Sequence, residues 1–276
     1  MRHELFAPVA DAIRKAAETI TGPAQDEPFL LDIRPKTDGK TATRADSETE
    51  AFLTRHLTAL LPHSKVLGEE TTDDWRSSPL LKDAGTIWII DPIDGTTPYS
   101  QGGHYGIIVA LQTKGIIDAA WIYFPMTRDM LFASQDDETH CIKWDGKNQP
   151  ICKKITIPQS EPSALNLYYC CPKQQDYLGD YQSVADLFKS RARSQCIATE
   201  THDMLHNGTS ATLFVEQFTP WDHKPAGYIV NRAGGSARFF TDTAGNLTGG
   251  ILAPNRPIFD AMLSQVHAIN PEIIAR

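Results

Sequence analysis

The stretch Trp88-Ile-Ile-Asp-Pro-Ile-Asp-Gly-Thr-Thr-Pro ends an apolar run in two carboxylates, a glycine and two hydroxyls. Asp91 and Asp94 offer hard oxygen donors for a divalent cation, and the amides near Gly95 and Thr96 can meet an anion at the positive end of a helix. A lone Asp-x-x-Asp-Gly is more ordinarily a solvated turn that caps a helix. Here other acids stand in the same kind of place: Glu69 and Glu70 after Val66-Leu67, and Asp222 after Pro220-Trp221. Each closes an apolar element. Oxygen donors with no Cys or His among them suit Mg2+ or Mn2+ and two-metal hydrolysis of a phosphate ester.

These residues need elements to hold them. Residues 86–90 read as a buried strand, which Pro92 must lead out of the sheet because it has no N–H to give the ladder. Thr97 followed by Pro98 predicts a helix start. Upstream, Leu5, Val9, Ile13, Ala16 and Ile20 mark an amphipathic helix that Gly22-Pro23 should break. A short strand at 29–33 follows, then a polar segment at 36–46. A second helix comes next, with Phe52, Leu53, Leu57, Leu60 and Leu61 as its stripe, and a polar loop fills 73–83. Downstream, 106–111, 116–124 and 130–133 form an antiparallel meander, and Asp145-Gly146 turns a further hairpin.

Beyond residue 157 the pattern becomes one of alternation. Strands at 165–169, 195–198 and 212–215 are expected among helices at 181–191 and 201–206. Asp222 opens a helix that ends at Gly234-Gly235, strands follow at 236–241 and 250–253, and a helix at 257–268 closes the chain. This predicts an N-terminal α+β half, 1–155, and a C-terminal α/β half, 156–276.

The chain has 276 residues, with 26 basic against 34 acidic and a net charge of -8, a balance that repels nucleic acid and anionic membrane surfaces. The amphipathic N-terminus is no signal peptide, and the five cysteines show no paired C-x-x-C spacing. A reducing cytoplasm is the expected home. Gly39-Lys40-Thr41 lacks the first glycine of a phosphate-binding P-loop, since Arg34 stands there, and Gly208-Thr-Ser-Ala-Thr lacks the last glycine of a nucleophile elbow. His202, Asp203 and His206 have helical metal-ligand spacing without a third ligand in view, which leaves a structural role as the simpler reading.

Taken in order, GEE at 68–70, WIIDPIDGT at 88–96, PWD at 220–222 and AGG at 233–235, with Lys36 and a T-x-x-D at 43–46, resemble the inositol monophosphatase-like family of metal-dependent, lithium-sensitive phosphatases. The resemblance runs from the first helix to the last. It implies a layered αβαβα sandwich with the metals in the cleft between the halves, two or three Mg2+ ions (or Mn2+), a small phosphorylated metabolite as substrate, and a homodimer. By matching position, Glu69, Asp91 and the Ile93 carbonyl become ligands of the first metal. Asp91, Asp94 and Asp222 become ligands of the second. Glu70 and Thr96, the latter linked to Asp46, would position or deprotonate the attacking water, and the amides of Gly95 and Thr96 would hold the phosphate.

The substrate is less sharply drawn. Residues 197–205 depart from the Gly-Ser/Thr-Ala-Ala stretch of inositol-phosphate enzymes, so that Glu200 and its neighbours would present different groups. Residues 136–141 replace a Gly-x-Gly-Ala segment, and Glu216 lies near the carboxylate that meets substrate hydroxyls. Inositol monophosphate leads. Histidinol phosphate, towards which Lys36-x-Asp38 leans, fructose 1,6-bisphosphate and 3'-phosphoadenosine 5'-phosphate are alternatives within the fold. A non-catalytic regulator that keeps the metal site is the alternative outside enzymology.

Overall fold

A computed structural model describes residues 3–27, 31–36, 41–72, 85–144, 150–170, 179–215, 219–243 and 246–275. The amphipathic start forms α1 (His3–Ala16), which widens into a π-helical turn at Ala17–Thr21 and resumes as α2 (Gly22–Asp26). Gly22-Pro23 therefore does not end the helical run. Pro23 falls in the first turn of α2, directly after the π-helical turn, where the hydrogen-bond register has already shifted. β1 (Arg34–Pro35) pairs antiparallel with β2 (Thr41–Ala42), while 31–33 are irregular and the rest of the strand expected at 29–33 lies outside the described residues.

α3 (Arg44–Leu60), β3 (Lys65–Gly68), β4 (Thr86–Asp94) and the short α4 (Thr96–Ser100) follow. The meander is β5 (Gly106–Thr113), β6 (Ile116–Phe124) and β7 (Asp129–Ser134), extended by β8 (Asp137–Lys143) and β9 (Ile151–Lys154). The polar loop expected at 73–83 and the Asp145-Gly146 turn fall outside the described residues, although β8 and β9 do pair antiparallel.

β4 carries the main correction. It runs on through Pro92 to Asp94, because the ladder shifts between Asp91↔Ile108 and Asp94↔Gly106. A bulge takes up the extra residue, and within it the proline is not asked for a hydrogen bond.

The chain divides into two compact units. The first comprises Met1–Lys154 with Gln195–Thr199 and Pro220–Pro225, and its sheet has the order β3-β4-β5-β6-β7-β8-β9. Trp88, Ile90, Ile107, Val109, Leu111 and Trp121 pack on Val9, Ile13 and Ala16 of α1 and on Leu53 and Leu57 of α3. Side chains alternate across a strand, so Ile87, Ile89 and Asp91 face the other way. That other face receives the two inserted segments, as Ala198 against Gly106 and Lys224 against Gln112 demonstrate. The Pro-Trp-Asp segment, expected in the C-terminal half, thus packs with the N-terminal unit.

The second unit holds β10 (Asn166–Cys170), α5 (Gln182–Ala185), β11 (Ser190–Arg193), most of α6 (Ile197–Asn207), β12 (Ser210–Val215), most of α7 (Pro220–Arg232), β13 (Ser236–Thr241), β14 (Leu247–Ala253), α8 (Arg256–Ile269) and β15 (Ile274–Ala275). Its sheet order is β11-β10-β12-β14-β13-β15, parallel among β10, β11 and β12 and antiparallel beyond. Two expectations fail here. Of the strand read at 195–198, residues 195–196 are irregular and 197–198 begin α6, and the helix read at 181–191 shrinks to α5 and gives way to β11. The exposed edge strand Ser190–Arg193 has no apolar alternation to announce it. Ile258, Phe259, Met262 and Val266 of α8 close the core of this unit against Leu213, Phe240 and Ile251. Mixed sheets covered by helices give the α+β layered architecture expected. Among the described residues no helix is long and apolar enough to cross a membrane.

Candidate metal centre

Backbone register alone brings two of the acids together. β3 and β4 are parallel with Gly68 opposite Ile90, and the Glu69 N–H donates to the Ile90 carbonyl at 3.2 Å. The next residues, Glu69 just past the end of β3 and Asp91 where the bulge of β4 begins, therefore lie on neighbouring chains, about 4.8 Å apart in an ordinary sheet. The Ile93 N–H donates to Asp91 Oδ1 at 3.0 Å, which fixes that carboxylate over the bulge. Pro220 opens α7 after Thr219 and sets Asp222 in its first turn. Carboxylate oxygens of Glu69, Asp91 and Asp222 consequently lie within 4.8 Å of one another.

Burial pushes the Asp91 carboxyl well above the ordinary range, and Glu69, Asp222 and Asp94 raise it further. Three hard oxygen donors that repel one another at this spacing suit a divalent cation of the Mg2+ or Mn2+ type, which would reverse that repulsion. The nearby protein cation is Lys36, just after β1, whose Nζ lies 2.8 Å from Glu69 Oε1 and 2.5 Å from Glu70 Oε1. Burial works against the Lys36 charge, and the two carboxylates more than offset it.

Asp94 is held differently. Its Oδ1 accepts from Ile197 N–H at 3.3 Å, and its Oδ2 accepts from Ala198 N–H at 2.6 Å and from the Cys196 thiol at 3.2 Å. It caps α6, and it stands outside the tight trio. Burial first and Asp222 second push it up to about 7, against the pull of those donors.

Gly95 adopts φ 88°, and a Cβ there would lie 2.9 Å from Cys196 Cβ, so a positive φ and a close approach both call for glycine. It is also the residue that caps α4, two places before the expected Thr97. The buried Thr96 hydroxyl sits 3.1 Å from Asp46 Oδ1 and 3.0 Å from the Ile93 carbonyl, and its single proton serves one of them at a time. Asp46 Oδ2 accepts from Thr43 N–H at 2.7 Å and from Thr43 Oγ1 at 2.6 Å. Burial lifts Asp46 to about 7; Thr43 opposes this, and Glu70 and Glu69 add to it.

Of the expected site, Glu69, Glu70, Asp91, Ile93, Asp94, Gly95, Thr96, Asp46 and Asp222 all belong to the first unit. Glu200 belongs to the second, buried in the first turn of α6, with its carbonyl 3.3 Å from Ser210 Oγ. Glu216 and Asp38 lie outside the described residues. His202 and His206 stack with ring centroids 4.0 Å apart, and His206 Nδ1 is 3.1 Å from the His202 carbonyl. Sequence reading missed the Cys196 thiol and the ion pairs of Lys36. It also missed Glu50, a buried carboxylate that accepts from the Glu70 N–H at 2.7 Å. A trace of Glu50 was there to find: an acid on the same helical stripe as Asp46, Leu53 and Leu57.

An acidic cluster with the donor set for a divalent cation, carried by an α+β layered fold, is the class of structure these observations define. The profile of the inositol monophosphatase family matches residues 1–271, and the chain belongs to that family. Nus factor SuhB of Escherichia coli K12 is 24% identical over 271 residues, covering 96% of each chain. Among solved structures, the extragenic suppressor protein suhB of Bartonella henselae superposes with a TM-score of 0.75 at 18% identity, over 97% of this chain and 98% of that one. An IMPase of Thermotoga maritima gives 0.73 at 17% identity, over 98% and 100%.

Proposed function

We propose that this chain is a Mg2+-dependent phosphomonoesterase of small polyol or sugar phosphates, with inositol monophosphate the first candidate. The convergence of Glu69, Asp91 and Asp222 beside the Thr96–Asp46 pair carries this reading. Those three acids, with Asp94 and the Ile93 carbonyl, would hold two or three Mg2+ or Mn2+ ions. Such ions, when bound, neutralise phosphate charge and make water more acidic.

The protein's own groups supply the rest. Thr96 Oγ1, with its proton directed to Asp46 Oδ1, keeps lone pairs with which to accept a hydrogen bond from water and orient it. Glu70, steadied by Lys36, is the nearby carboxylate that can take up a proton. The amides around Gly95 and Thr96 at the start of α4 are the proposed seat of the phosphate oxygens.

Phosphate release should be measured with Mg2+ across inositol, sugar, nucleotide and amino-alcohol phosphates. Inositol monophosphate is expected to lead, Li+ to inhibit, and Asp91→Asn to abolish release while the circular-dichroism spectrum stays unchanged. Absence of release from every ester would sink the hydrolase reading in favour of a binding role, and full activity of Asp91→Asn would overturn the assignment of the reaction to this acidic centre.

A further inference from the structure

We infer that Glu50 is a positioning residue of the metal centre, a second pin by which α3 holds the turn that carries Glu69 and Glu70; this rests on the cation site proposed above. Asp46 and Glu50 stand four residues apart, so both project from one face of α3. Asp46 grips the β4 side of the centre, with Oδ1 on the Thr96 hydroxyl at 3.1 Å. Glu50 grips the β3 side, with Oε2 accepting from the Glu70 N–H at 2.7 Å. One helical turn thereby ties both strand tips to a single rigid element.

The fit is close enough to dictate the sequence at Gly68. A Cβ on that residue would fall 2.3 Å from Glu50 Cδ and 2.4 Å from Oε1, inside the space the carboxyl group fills. Glycine at 68 is thus explained by a side chain eighteen residues upstream. Glu50 itself is 1% exposed. Burying a carboxyl group there is costly for folding alone. The return is a fixed direction for the Glu69 and Glu70 side chains, since the N–H between them is the group it holds. Outer partners of metal ligands act in this way, and their loss weakens metal binding without touching the metal.

The test is a Mn2+ titration of the metal-free full chain, read by the electron paramagnetic resonance of free Mn2+, beside kcat and KM with saturating Mg2+. Glu50→Ala should raise the Mn2+ Kd by about tenfold or more and lower kcat more than it changes KM. Glu50→Gln, whose amide oxygen still accepts from Glu70 N–H, should stay near wild type. Gly68→Ala, which leaves Glu50 in the chain but displaces its carboxyl group, should reproduce the loss. A folded Glu50→Ala that binds Mn2+ as tightly as wild type overturns the inference, as does a Glu50→Gln as weak as Glu50→Ala. If Glu50→Ala does not fold, wild-type affinity in Gly68→Ala overturns it equally. A wild type that binds Mn2+ yet releases no phosphate defeats the hydrolase reading and leaves this one standing.

Discussion

Thr96 has one hydroxyl hydrogen to offer two acceptors. Its hydroxyl is buried between Asp46 Oδ1 and the Ile93 carbonyl, so the direction of its proton is decided by which acceptor takes it. Asp46 already holds two donors from Thr43 on its other oxygen, which favour its charged form, while burial favours the neutral one. Replacing Thr96 by Val keeps the shape and removes the hydroxyl, and steady-state kinetics should then record kcat lower by about 10²-fold or more, the usual scale for a group that orients proton transfer. Thr96→Ser should recover most of it. A Thr96→Val enzyme with unchanged kcat would show that the hydroxyl serves packing alone.

At the level of elements, the acids that end apolar runs were legible: Glu69 after Val66-Leu67, Asp91 after Ile89-Ile90, Asp222 after Trp221. Position along a strand is a local property, and the sequence displays it. The start of α6 was not legible, because its cap is the Asp94 carboxylate, 103 residues away from Ile197. Read locally, Cys196-Ile-Ala is an apolar run and suggests a strand. Pro92 misled in the opposite sense, since a bulge keeps it within β4. Glu50 escaped because a helix stripe reveals that a residue is buried, and not what its carboxyl group meets. α3, by contrast, has its cap within reach: Thr43 donates from N–H and from Oγ1 to Asp46 at the third helical position. Thr43→Ala should cost about 1 kcal/mol of stability. In a chain of this size that lowers Tm by roughly 2–4 °C in a thermal melt. An unchanged Tm would mean that packing of Leu53 and Leu57 alone sets the start of α3.

For the molecule as a whole, the buried acids of the candidate centre predict a dependence of stability on pH, and on the proposed cation, that runs against the usual acid-denaturation trend. Asp46 and Asp94 are lifted from 3.8 to about 7, and Asp91 is lifted as well, chiefly by burial. A group whose folded pKa lies above its unfolded value binds protons more readily when folded. Its contribution to stability is complete below the unfolded pKa of 3.8 and is lost as pH climbs through the folded pKa of about 7. The metal-free chain should therefore lose Tm between about pH 5 and pH 8, each unit of pKa shift being worth about 1.4 kcal/mol before other groups contribute. Lys36 does not offset this, because its pKa is raised and its contribution is complete throughout that window. A cation bound to the folded chain opposes the loss by an amount that grows with the logarithm of its concentration over Kd. Differential scanning calorimetry at pH 5 and pH 8, with and without saturating Mg2+, should show the larger Mg2+-induced rise in Tm at pH 8. Asp91→Asn should reduce both the pH-dependent fall and the Mg2+-induced rise. Equal Mg2+ effects at the two pH values, or a Tm that climbs with pH in the metal-free chain, would mean that these buried acids do not govern the stability of the protein.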